Sequence, residues 1–122
     1  MSYKIMSIDK YDVSHAVFLG GERLNRIYLH LYCSEGSGYI GFWPKDPDDI
    51  IPPSRIESTS PFKFSLFYEL DRYQEIIDTL RYEKPVQLAI GWDANNIITS
   101  MQVYTGREPV GEQEGQGASF TT

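Results

Sequence analysis

Apolar residues recur at two spacings in this chain, and the spacing names the element. Phe62, Phe64, Leu66 and Tyr68 alternate with Lys63, Ser65 and Phe67, the two-residue period of a strand. Directly after it, Tyr73, Ile76, Ile77 and Leu80 fall at i, i+3, i+4 and i+7, one stripe of a helix. Asp71 is placed to cap that helix, and Gln74 three residues on completes a capping-box pattern. Arg81 and Lys84 suit the negative end of the helix dipole, and Pro85 stops it.

Beyond Pro85 the period returns to two. Val86, Leu88, Ile90 and Trp92 alternate with Gln87, Ala89 and Gly91, and Ile97, Thr99, Met101 and Val103 with Ile98, Ser100, Gln102 and Tyr104. Asp93-Ala94-Asn95-Asn96 between them carries turn chemistry, since Asn and Asp tolerate left-handed backbone. A loop of those four residues predicts the pairs Trp92–Ile97, Ile90–Thr99, Leu88–Met101 and Val86–Val103, with the helix stripe covering that face.

In the first half, Tyr3 to Ile8 reads as a short strand, and Lys10 to Ser14 as a polar interruption. Ala16 to Leu19 is apolar and ends at the breaker Gly20-Gly21, fitting a short strand or a turn of helix. Leu24 to Cys33 sorts Ile27, Leu29, Leu31 and Cys33 to one side and Arg26, Tyr28, His30 and Tyr32 to the other. Ser34 to Gly38 predicts a hairpin loop, and Tyr39 to Trp43 the return strand, with Ile40 and Phe42 opposite Tyr39, Gly41 and Trp43. Lys45 to Pro61 reads as a Pro-rich loop, with Ile50-Ile51 tucked onto the core and Arg55 to Ser58 as a short edge strand. The expected class is α+β: a curved antiparallel sheet, order β-β-β-β-α-β-β, with one main helix packed on one face.

Length and charge narrow this further. At 122 residues, residues 1–105 are expected to form a single globular domain, and residues 106–122, an acidic Gly/Glu/Gln-rich tail, to be largely disordered. The formal charge of −6 disfavours nucleic acid and anionic membranes as partners on electrostatic grounds. Cys33 is the single cysteine, so no internal disulfide forms, which fits the cytoplasm. No apolar run has the length of a signal peptide or a membrane span.

Aromatic residues make up 14% of the chain, and alternation concentrates them on one sheet face. Arg26, Tyr28, His30, Tyr32, Tyr39, Trp43, Lys63 and Phe67 form an aromatic-basic set, the candidate binding site. Such a surface suits a homodimer, an unknown protein partner or cover by the chain's own Pro-rich loop, because Tyr and Trp give contact area with few torsions to freeze. It also suits stacking of single-stranded bases. Four strands followed by a helix resembles the element order of the PC4 and Whirly single-stranded-DNA-binding proteins; no residue is carried over from either.

No catalytic constellation stands out, so the reading is non-enzymatic, with no cofactor; a small-molecule-binding or enzymatic pocket without an identifiable catalytic motif is the remaining alternative. Asp46-Pro47-Asp48-Asp49 lacks the Gly and Glu positions of a calcium loop. His15 and His30 have no His or Cys companion at zinc-ligand spacing, and His30 and Cys33 fall on opposite faces of a strand. Cys33 reads as a small core hydrophobe. Gly20-Gly21 and Gly36-Ser37-Gly38 lack the strand–loop–helix setting of phosphate loops. The tail sequence GREPVGEQEG suits a partner-binding peptide or a solubilising end.

Overall fold

The strands are β1 Ser2–Phe18, β2 Leu24–Cys33, β3 Gly36–Trp43, β4 Arg55–Thr59, β5 Phe62–Glu69, β6 Val86–Trp92 and β7 Ile98–Thr105. Helix α1, Tyr73–Tyr82, follows a 3₁₀ turn at Leu70–Arg72 and lies between β5 and β6. The structure is a computed structural model describing residues 2–18, 24–45 and 50–105. Gly20-Gly21, Asp46 to Asp49 and the tail expected to be disordered lie outside those residues. No described helix is long and apolar enough to cross a membrane.

One curled, mixed sheet holds every strand, in the order β4-β5-β3-β2-β1-β6-β7. The α+β class with a single helix is the expected one. All pairings are antiparallel except β3–β5, which is parallel. Arg55–Thr59 forms the edge strand expected beside β5, so that five strands precede the helix where the expected order counted four. The element order that resembled PC4 and Whirly is therefore not the observed one.

β1 carries the curl. It runs unbroken through Lys10 to Ser14, where an interruption was expected, because that polar stretch still alternates: Tyr11 and Val13 pack on the core while Lys10, Asp12 and Ser14 are exposed. Its first part pairs with β6 and its second with β2, and a register shift between Ile8 and Lys10 marks the changeover. A bulge there bends the strand and increases its twist, which suits a strand shared between two halves of a sheet. At the far edge the ribbon nearly closes on itself. Arg55 pairs with Ile97, fixed by Ile56 N–H to Asn96 O at 2.8 Å and Ile98 N–H to Ser54 O at 2.9 Å.

The inner face is the core. Leu29, Leu31, Ile40, Phe42, Phe64, Leu66, Leu88 and Ile90 are all buried there, and Ile77 of α1 inserts among them. Tyr73, Ile76 and Leu80 complete the helix contact, with the Tyr73 ring edge-on to Phe42 at 5.3 Å. The stripe is as predicted, but the cap is not. The helix begins after a 3₁₀ turn with Arg72 at the N-cap and no side-chain cap bond, and Asp71 instead lies 3.8 Å from Lys45 Nζ. The same ammonium, 3.7 Å from Glu69, ties the start of the Pro-rich loop to the β5–helix junction. Ile50, expected to tuck in, is 80% exposed.

The terminal hairpin is shifted from its predicted register. Leu88 pairs with Val103 and Ile90 with Met101, with a bulge at Gly91/Trp92. Ile98, not Ile97, therefore packs on the core, because Ile97 is drawn outward to pair with Arg55.

Candidate interaction surface

Alternation along β2, β3 and β5 sends Ile27, Leu29, Leu31, Ile40, Phe42, Phe64 and Leu66 inward. The opposite, outer face then receives Arg26, Tyr28, His30, Tyr39, Trp43 and Phe67, as predicted. Cross-strand registry brings them together: Tyr28 faces Gly41, His30 faces Tyr39, and Gly41 faces Phe67.

The result is a connected ladder. Tyr39 meets Tyr28 at 5.7 Å, His30 at 5.9 Å and Phe67 at 5.9 Å between ring centres. Phe67 meets Trp43 at 5.7 Å, and the Arg26 guanidinium sits over the Trp43 ring at 3.8 Å. Interplanar angles of 70°, 85° and 75° make the Tyr28–Tyr39, Tyr39–Phe67 and Phe67–Trp43 contacts edge-to-face, the geometry ring quadrupoles prefer. The rings thus engage one another, and the patch presents a consolidated surface more than a row of open planes. Arg26 is 9% exposed and the five rings are half-buried. Trp43 Nε1 is buried and has no hydrogen-bond partner among the described residues.

Two predicted members stand apart. Tyr32 donates its hydroxyl to Asp12 Oδ2 of β1 at 2.9 Å, and that bond, with the Asp12 charge, holds its phenol above the ordinary value. Lys63 is exposed on β5, opposite Ser37 and Ser58, and no ring contact joins it to the ladder.

Sequence reasoning passed over the floor of the patch. Gly41 lies under it, and a Cβ there would stand 3.1 Å from Phe67 and 3.3 Å from Tyr28. The glycine lets both rings lean over the bare backbone. Ser65 is buried beside Tyr39, its hydroxyl donating to Glu57 Oε2 of β4 at 2.8 Å. The outward position of both was readable from alternation; their burial was not.

Elsewhere, a groove of about 730 Å³ lies between the bend of β1, Ser7 to Tyr11, and the end of α1, Leu80 to Val86. Among the described residues no cluster of three His, Cys, Asp or Glu side chains is arranged to hold a metal. Cys33 points inward against the core while His30 points outward, so the two share no site. Burial, with the Asp9 charge, pushes the Cys33 thiol up to about 11, leaving it protonated near neutrality. Comparison with family models, curated proteins and solved structures returned no match to this chain.

Proposed function

We propose that this protein is a non-catalytic interaction domain that forms a homodimer through the outer face of β2, β3 and β5. The observation that carries the reading is the ladder from Arg26 through Trp43, Phe67 and Tyr39 to Tyr28 and His30. Six side chains rich in contact area are already ordered against one another, so little further entropy is lost when a second surface covers them. The lone cysteine fits a reducing compartment, the cytoplasm.

Light scattering coupled to size exclusion, run from micromolar to millimolar protein, tests this. A dimer mass in the wild type, falling to monomer in Tyr39→Ala and Trp43→Ala with circular dichroism unchanged, is expected. A wild-type chain that stays monomeric throughout overturns it.

The second reading, single-strand nucleic-acid binding on the same face, draws on Arg26 and His30 among the aromatic rings and on the exposed Lys63 of β5. Edge-to-face closure of the rings and the charge of −6 weigh against it. A gel shift with short oligonucleotides at low salt decides, and retarded mobility would favour this reading over the first.

A further inference from the structure

A gap one strand wide runs beside β7. Arg55 of β4 pairs on one side with Ser65 of β5 and on the other with Ile97. At that level β5 and the start of β7 stand two strand spacings apart, about 9.5 Å, with β4 between them. Ser54 still holds both walls, its carbonyl accepting from Ile98 N–H and its hydroxyl from Phe67 N–H, but past it β5 and β7 continue without β4. They run antiparallel to β4 and hence parallel to each other, and among the described residues no strand lies between Leu66–Glu69 and Ile98–Val103.

Two cavities lie end to end along the line a longer β4 would follow. One, of about 220 Å³, is lined by Ser54, Leu66 to Tyr68 and Ile98 to Met101. The next, of about 330 Å³, lies between Tyr68, the α1 side chains Glu75, Ile76 and Thr79, and Met101 to Val103. Tyr68 and Met101 belong to both. The inner wall is apolar, since Leu66, Tyr68, Ile76, Met101 and Val103 all pack on the core.

The chemistry of the walls selects the occupant. β7 reads Ile-Thr-Ser-Met-Gln-Val-Tyr-Thr, with no charge, proline or glycine, so beyond the bulge at its start no charged or proline residue guards this edge. A row of backbone amides and carbonyls without charged side chains is complementary to another extended backbone, and to little else. On the facing wall the Arg72 guanidinium is bonded to Glu75 Oε1 at 2.9 Å, so that cation is already paired. The Ser54 hydroxyl accepts from Phe67 N–H at 2.8 Å, so a side chain already occupies the first rung that a longer β4 would fill.

We propose that this gap is a strand-addition site, in which an extended, uncharged segment of a partner protein lies antiparallel to β7 on the line of β4. About five residues fit along Ile98 to Val103 at roughly 3.3 Å each. Alternate side chains of the segment, aliphatic, rest on Tyr68, Ile76 and Met101, and the others face solvent. This site is separate from the aromatic face and does not depend on it.

The test is selection of short random peptides, displayed on phage, against the full-length chain, followed by amide hydrogen exchange of the best binder's complex. Enriched peptides are expected to share an uncharged core of alternating aliphatic residues and to slow exchange about tenfold or more at those amides of residues 99–103 that do not bond to β6. Met101→Lys is expected to weaken binding at least tenfold, and Trp43→Ala to leave it unchanged. Should Met101→Lys not fold, Gln102→Lys, at an exposed position of the same edge, takes its place. The proposal is overturned by the absence of enrichment over the Lys variant, or by peptides that bind without protecting those same amides of residues 99–103. It is overturned equally if those amides are protected in the free chain and exchange only when the chain is ended at Thr105, since the chain's own C-terminal segment would then fill the gap.

Discussion

The guanidinium of Arg26 and the indole of Trp43, projecting from adjacent strands, lie 3.8 Å apart from carbon to ring centre and close one end of the outer aromatic ladder. Held there with 9% exposure, the cation is largely out of water, and a desolvated contact of this kind contributes about 2 kcal/mol. Lys keeps the charge but not the planar overlap. Arg26→Lys is therefore expected to lower the unfolding free energy by about 1 kcal/mol in urea titration, and Arg26→Ala by about twice that. Unchanged stability in Arg26→Lys would mean the stacking itself contributes nothing.

Two glycines of β3 should behave differently. A Cβ on Gly38 would strike the carbonyl and ring of Phe64, where β3 and β5 run parallel, and backbone cannot move aside cheaply. Gly38→Ala is expected to cost more than about 2 kcal/mol. A Cβ on Gly41 meets only ring edges, at 3.1 to 3.3 Å, so Gly41→Ala should cost less and act by lifting Phe67 and Tyr28. Thermal melts of both variants check the order, and near-ultraviolet circular dichroism should change in Gly41→Ala.

The β6–β7 turn separates two further effects. Asp93 Oδ1 accepts from Asn95 N–H at 2.9 Å and Ile97 N–H at 3.0 Å. Asp93→Ala removes both and should destabilise by about 1–2 kcal/mol. Asn96 has φ of 63°, a left-handed conformation that glycine adopts without strain. Asn96→Gly should therefore lie within about 0.5 kcal/mol of wild type on either side, and a loss above about 1 kcal/mol would show that the Asn side chain holds the turn.

Cys33 sets an alkaline limit. Its thiol is raised from 9.0 to about 11, chiefly by burial. The folded chain holds that proton more tightly than the unfolded chain, so the stabilisation is fully present below pH 9 and is lost as pH rises through the folded value near 11. The stability advantage of wild type over Cys33→Ala should accordingly shrink between pH 9 and about 11. Alkylation by iodoacetamide near pH 8 should be slow until urea unfolds the protein.

Much of this was legible along the chain. The face of each residue in Ile27–Cys33, Tyr39–Trp43 and Phe62–Tyr68 follows from alternation, because successive side chains of a strand must point to opposite sides. The stripe of Tyr73, Ile76, Ile77 and Leu80 follows from helical spacing in the same way. Asp71 was misread because a cap depends on how the chain enters the helix. Here a 3₁₀ turn intervenes, and Lys45 lies against the carboxylate instead. The hairpin register slipped because Ile97, locally a partner for Trp92, is claimed by Arg55 from across the curl.

Local periodicity, then, determined which side chains are core and which form the aromatic-basic face. The tertiary structure alone decided which edges meet: β1 serving both halves of the sheet, β5 lying parallel to β3 over Gly36 and Gly38, and β4 bridging to β7 only at Arg55. Strand pairing joins residues far apart in sequence, and it is settled by how closely backbones can approach and how the curled sheet closes over α1. Neither is encoded in any short stretch of residues.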